Sequence, residues 1–261
     1  MPENSPSADN LPVHDSHLPH KSLLEQAQQR LIVALDVPTA AAALTLVDRL
    51  EGQCPWLKVG LELFISAGPS IVETLVSRGH SIFLDLKLHD IPNTVASAVR
   101  TATSLNVRML TVHAAGGPAM LAAAREAAAG SAMPPELLAV TVLTSMNQSE
   151  VTAVGVARSP QQQVELLARM GLESGIRGFV CSPQEVAALR TLAGPAGVLV
   201  TPGIRPAGAD AGDQQRIATP AQALQQGASY LVVGRPITQA AHPAQAARNV
   251  LDEIAGALVQ K

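Results

Sequence analysis

Aromatic side chains are almost missing from this chain: three Phe, one Trp and one Tyr are all that 261 residues carry. Platforms on which the bases of a single-stranded nucleic acid stack have little to be built from. Charge is scarce too, with 15% of residues ionic, a formal net charge of −3 and no basic stripe. Long-range attraction to nucleic acid or to an anionic membrane is thereby excluded. No uninterrupted apolar run approaches the roughly 18 residues of a membrane span. Cysteine is limited to Cys54 and Cys181, which are far apart and form no metal-ligand pair. They read as two reduced, buried thiols in a cytoplasmic protein.

The N-terminal segment lacks the apolar core of a secretory signal. His14, His17 and His20 recur there at regular spacing, but Pro12 and Pro19 oppose the helix that would converge them on a metal. Residues 1–22 are therefore expected to form a disordered extension, and 23–261 one folded domain.

Hydrophobic residues, at 47%, supply ample material for a core. They are distributed in short runs rich in Val, Ile and Leu: 31–36, 56–60, 81–87, 108–113, 137–144, 178–182, 197–203 and 230–235. Near-continuous apolar strands without polar alternation are buried on both faces, as parallel strands beneath helices are. Between them lie Ala- and Leu-rich segments of helical period, punctuated by Pro and Gly. Eight such alternations in one chain of this length predict a closed (β/α)8 TIM barrel of the α/β class. An open doubly wound sheet is the weaker reading, because LIVALDVPT places Asp and Pro where a dinucleotide fold carries glycines. Two stretches, 146–160 after strand five and 204–215 after strand seven, are too long for simple turns. Both belong to the strand C-terminal end, where barrel active sites sit, and the second is read as a mobile lid.

The informative residues are the ions inside apolar strands. Asp36 ends the first run, Lys58 sits between Leu57 and Val59, and Asp85 and Lys87 stand two apart in the third. Two-residue spacing directs both side chains to one face of a strand. Burying an ion there costs several kcal/mol unless it is paired, so four near one barrel mouth point to chemistry. Asp90 follows on the turn into the next helix. Carboxylates on either side of Lys87 in sequence favour its ammonium form. That form is a poor Schiff-base nucleophile but a good proton donor and clamp for a developing carbanion. At the far end of the chain, TPGIR (201–205) and VVGRPI (232–237) close strands seven and eight, the usual phosphate cradle of this architecture. Gly234 allows a backbone N–H to approach an anion and Arg235 offers a forked guanidinium, with Pro236 suited to a helix start. His113, at the mouth, reads as a hydrogen-bonded structural histidine, His89 either orients the turn after Lys87 or faces solvent, and Glu62 is placed to pair with a nearby cation; His80 and His242 carry no argument.

The segment FLDLKLHDIPNTV (83–95) resembles the signature of the orotidine 5′-phosphate decarboxylases. LIVALD, LKVGLELF, TVHAAGG, AVTVLTS, VCSP, VTPGIR, DQQRIATP and LVVGRPIT follow in that family's order, so the resemblance spans about residues 30–255. It implies decarboxylation of orotidine 5′-monophosphate without a cofactor or metal. Asp36 and Lys58 would hold the ribose hydroxyls, Asp85 would sit against the substrate carboxylate, and Lys87 would protonate C6. Asp90 and Thr94 would reach across a homodimer interface into the partner's site. Thr144 and Ser145 would lie near the pyrimidine, while Arg205, Gln214, Gly234 and Arg235 would serve the phosphate and the lid.

Two rivals remain open. A Mg²⁺-dependent sugar-phosphate decarboxylase or aldolase shares the barrel and the D-x-K-x-x-D core, but typically has a carboxylate in place of Lys58 to hold the ion. A nucleotide-binding regulator on a retained barrel is the non-enzyme reading.

Overall fold

A computed structural model describes residues 22–206 and 217–259 of the chain. Its strands are β1 (Leu31–Ala34), β2 (Trp56–Gly60), β3 (Ser81–Leu88), β4 (Met109–His113), β5 (Glu136–Val140), β6 (Gly178–Val180), β7 (Val198–Thr201) and β8 (Tyr230–Val233). They pair in parallel in chain order, and β8 returns to β1 to close a barrel. Each of the eight apolar runs overlaps one strand. Several strands end early, however: the run 31–36 is a strand only to Ala34, and 137–144 only to Val140. The polar residues that close those runs therefore stand on the rim, beyond the ladder.

The helical segments begin where local chemistry satisfies the free N–H groups of a first turn. Thr39 caps the helix Ala40–Arg49 by accepting from Ala42 N–H. Ser159 and Gln162 form a reciprocal capping box before Pro160–Glu173, as Thr219 and Gln222 do before Pro220–Gln225. Ser22 caps Leu23–Gln28 with Glu25, so this last residue of the expected extension belongs structurally to the first helix. Its other residues lie outside those described. Among the described residues no helix is long and apolar enough to cross a membrane.

Strand alternation sorts the apolar residues into two cores. Leu31, Val33, Leu57, Val59, Leu84 and Leu110 face outward into the layer between barrel and helices. Ile32, Ala34, Trp56, Phe83, Met109, Leu138, Val200 and Val232 fill the interior. Following the interior set upward by twos leads from Ala34 to Asp36, from Trp56 to Lys58, from Phe83 to Asp85 and from Met109 to Thr111. The inner stack is thus apolar at its base and ionic at its mouth, which places the site.

Of the two long stretches, 146–160 contains a short helix, Gln148–Ala153, capped reciprocally by Asn147 and Glu150. The other is clamped at its base. Ile204 bridges Ala218, Arg205 N–H donates to Ala218 O at 3.0 Å, and Ala218 N–H donates to Gly203 O at 3.3 Å. Residues 207–216 between these ends lie outside the described residues, and Gln214 is among them.

Candidate active site

Four charges alternate across the mouth. Lys58 Nζ is 2.9 Å from Asp36 Oδ1 and 3.7 Å from Asp85 Oδ2, and Lys87 Nζ is 2.8 Å from the same Asp85 oxygen. The side chains of Lys58 and Asp85 are each only 12% exposed, so these ions are held largely out of water. Such burial is tolerable because each charge meets an opposite one. Gly60 makes room for the pair beside it: a Cβ there would come within 3.0 Å of Lys58 Nζ.

The spacing of Asp85 and Lys87 predicts one shared face, and both side chains do enter the same cavity. Plain alternation is not how they get there. Lys87 has φ +52°, in the left-handed region that non-glycine residues rarely occupy. The ladder slips at this point: Leu84 pairs with Leu110 but Leu88 with Val112, so β3 spends four residues on a step that takes β4 two. A bulge re-aims the lysine. Lys87 N–H then donates to Thr111 Oγ1 at 2.8 Å, and that hydroxyl donates to Asp85 Oδ1 at 3.1 Å.

The order of charges also differs from the sequence expectation. Within one chain it is Asp85 that stands between two lysines, rather than Lys87 between two aspartates. Asp90 is exposed and its Oδ1 accepts the neighbouring Ile91 N–H. Thr94, on the helix Pro92–Ser104, is exposed as well. Neither lines the cavity, nor does Ser145.

That cavity has a volume of about 470 Å³. Asp36, Lys58, Asp85 and Lys87 line one part, and Thr144, Arg205, Gly234 and Arg235 another. Arg205 is buried; burial and the adjacent Arg235 guanidinium hold it below the usual arginine range. Two guanidinium groups lining one cavity offer forked donors to an anion. Arg235 opens a four-residue helix, Arg235–Thr238, whose N-cap is Gly234. Among the described residues, a Cβ at Gly234 would meet only Ala34 and Asp36, both at ordinary contact distance. His113 closes β4 against His89, ring centroids 5.4 Å apart. Burial, then His89 and Lys87, push its imidazole below the ordinary histidine range, with Asp85 opposing.

Sequence reasoning missed several lining residues, among them Phe83, Val142, Thr238 and Gln239. It also passed over Thr111, whose signal was a polar residue set among the apolar Met109, Leu110 and Val112. Cys54 and Cys181 are buried free thiols, and burial pushes both up to about 12. Among the described residues, no group of three or more His, Cys, Asp or Glu is arranged to hold a metal ion.

Residues 29–250 match the model of the Orotidine 5′-phosphate decarboxylase / HUMPS family. The chain belongs to this family. An orotidine 5′-phosphate decarboxylase of Moorella thermoacetica is 52% identical over 234 residues, 87% of this chain and 93% of that protein. One from Nitrosospira multiformis is 54% identical over 218 residues, 82% of this chain and 89% of that protein. The crystal structure of orotidine 5′-phosphate decarboxylase from Lactobacillus acidophilus superposes with a TM-score of 0.77 at 38% identity, covering 87% of this chain and 99% of that one. The family's barrel and this one share the same closed architecture.

Proposed function

We propose that this barrel decarboxylates orotidine 5′-monophosphate to uridine 5′-monophosphate in pyrimidine biosynthesis, with Lys87 as the proton donor to C6. Family membership and relatives bearing the decarboxylase's name carry the enzyme class, a carbon–carbon lyase. One observation carries the residue roles: the ladder Asp36–Lys58–Asp85–Lys87 lines the same cavity as the arginine pair Arg205 and Arg235. A nucleotide monophosphate has matching ends, a phosphate for the arginines and a reacting ring for the lysine.

In this reading the C6–carboxylate bond breaks and leaves its electron pair on C6. An N–H bond of the Lys87 ammonium then breaks, its proton forms the new C6–H bond, and the neutral amine regains a proton from solvent. Positive charge fixed in advance where the carbanion grows lowers the barrier without reorganisation. Repulsion between Asp85 and the substrate carboxylate contributes less, because Asp85 already meets Lys87, Lys58 and Thr111. Asp36 and Lys58 hold the ribose hydroxyls, and Thr144, which lines the cavity where Ser145 does not, approaches the pyrimidine. Arg205, Gly234 and Arg235 take the phosphate, with Gln214 from the adjoining segment. Phosphate binding far from C6 supplies energy expressed at the transition state.

The same reading includes a homodimer in which Asp90 and Thr94 serve the partner's site. Exposure of both, with Ile91 between them 66% exposed, supports it. It also places the enzyme in the cytoplasm, with two buried free cysteines in support.

The experiment is ultraviolet absorbance on mixing the purified protein with orotidine 5′-monophosphate and no added metal. Wild type is expected to convert the orotate chromophore, while Lys87→Ala stays folded and loses turnover. Near-normal activity in that variant would remove Lys87 as the acid.

A further inference from the structure

We infer that Thr111 is a positioning residue for the proton donor, holding both ends of Lys87 through one hydroxyl. The inference rests on the Lys87 reading above and extends it to a side chain that lies beneath the cavity.

Thr111 is 0% exposed, in the middle of β4, on the inward side between Met109 and His113. A buried hydroxyl is costly unless it is bonded, and valine has the same shape, so packing alone does not call for threonine here. The bonds it makes are specific. Thr111 Oγ1 accepts the backbone N–H of Lys87 at 2.8 Å, which pins the residue in its left-handed conformation at φ +52°. A hydroxyl has one proton, and this one goes to Asp85 Oδ1 at 3.1 Å. The other carboxylate oxygen, Oδ2, accepts from Lys87 Nζ at 2.8 Å.

The result is a closed ring: lysine backbone, threonine hydroxyl, aspartate carboxylate, lysine ammonium. With Oδ1 occupied by Thr111, the carboxylate plane is fixed and Oδ2 is directed at the lysines. Both anchors of the Lys87 side chain, its backbone and its ammonium, are therefore set by one atom. The arrangement sits at the ladder slip between β3 and β4, where backbone pairing supplies no continuous register of its own. Removing the hydroxyl leaves the nitrogen and the carboxylate oxygen buried without that partner, and it frees the carboxylate to rotate.

Thr111 does not line the cavity, so its loss is expected in the chemical step rather than in substrate capture. The experiment is steady-state kinetics with orotidine 5′-monophosphate for Thr111→Val, Thr111→Ala and Thr111→Ser, each checked for folding by thermal melting. Lys87→Ala is run alongside. For Val and Ala, kcat is expected to fall by about tenfold to a hundredfold, while KM stays within about threefold. Ser keeps the hydroxyl and is expected to stay within about threefold of wild type in kcat. Ala carries the result should Val fail to fold, since it imposes no shape of its own. Wild-type kcat in either folded hydroxyl-free variant overturns the inference. So does a Ser variant as impaired as Val, or a KM that moves as far as kcat. If Lys87→Ala is active, the donor reading itself has failed. If it is dead while Thr111→Ala is normal, only the positioning role has.

Discussion

The Lys58 ammonium stands 3.7 Å from Asp85 Oδ2, with Asp36 on its other side at 2.9 Å. A divalent cation placed beside Asp85 would face this fixed positive charge. At such range two unit charges interact by about 4 kcal/mol at an effective dielectric of 20. A metal-dependent sugar-phosphate reaction on the same barrel has its ion opposed here, where it needs a carboxylate. Turnover of orotidine 5′-monophosphate is therefore expected to be unchanged, within about twofold, by excess EDTA. Loss of activity on chelation, recovered with Mg²⁺, would favour the metal-dependent sugar-phosphate chemistry instead.

Much of this barrel was legible because its strands are short, apolar and separated by helices of regular period. The same simplicity made Asp36, Lys58 and Asp85 conspicuous, since an ion in such a run needs a reason. What stayed hidden depends on three-dimensional register. The slip between β3 and β4 leaves no mark in SIFLDLKL, yet it sets the backbone of Lys87 and recruits Thr111 from a neighbouring strand. Sequence proximity suggested Asp90 as a flank for Lys87. Within the chain that carboxylate accepts the N–H of Ile91. Rim residues such as Thr238 and Gln239 have no periodic pattern to expose them.

Arg235 and Arg205 share one wall of the cavity, but they differ in setting. Arg205 is buried and donates to Ile204 O at 3.0 Å, whereas Arg235 is exposed at the start of its short helix. Arg235 is thus the more accessible of the two to substitution. Arg235→Ala is expected to weaken phosphate capture by roughly 1.5–3 kcal/mol, the scale of a charge-assisted hydrogen bond. That corresponds to about 12-fold to about 140-fold in the Kd of uridine 5′-monophosphate. Isothermal titration with the nucleotide and with the uncharged nucleoside separates the contributions: the variant should lose the nucleotide's advantage and keep the nucleoside's affinity. Equal nucleotide binding by variant and wild type would place the phosphate elsewhere.

His113 gives the fold a dependence on pH whose sign can be worked out. Burial, His89 and Lys87 hold its imidazole below the ordinary histidine range. In the unfolded chain the same group titrates near 6.5. Between the depressed folded value and about 6.5, the unfolded state binds more protons, so stability rises with pH through that window and is lost as pH falls through it. His80 acts in the same direction, chiefly through burial, although hydrogen bonds to the backbone at Cys54 and Pro55 oppose the shift. Glu136 acts oppositely: burial raises its carboxyl, so its contribution is present at low pH and lost as pH rises. The wild-type curve sums these effects, and a His113 variant isolates one of them. On going from pH 7.5 to 5.5, His113→Gln is expected to lose less thermal stability than wild type, by roughly 2–4 °C in Tm. Calorimetry at matched ionic strength measures the difference. Parallel curves for the two proteins would mean that the imidazole titrates alike in the folded and unfolded states, and that its burial against His89 has no energetic consequence.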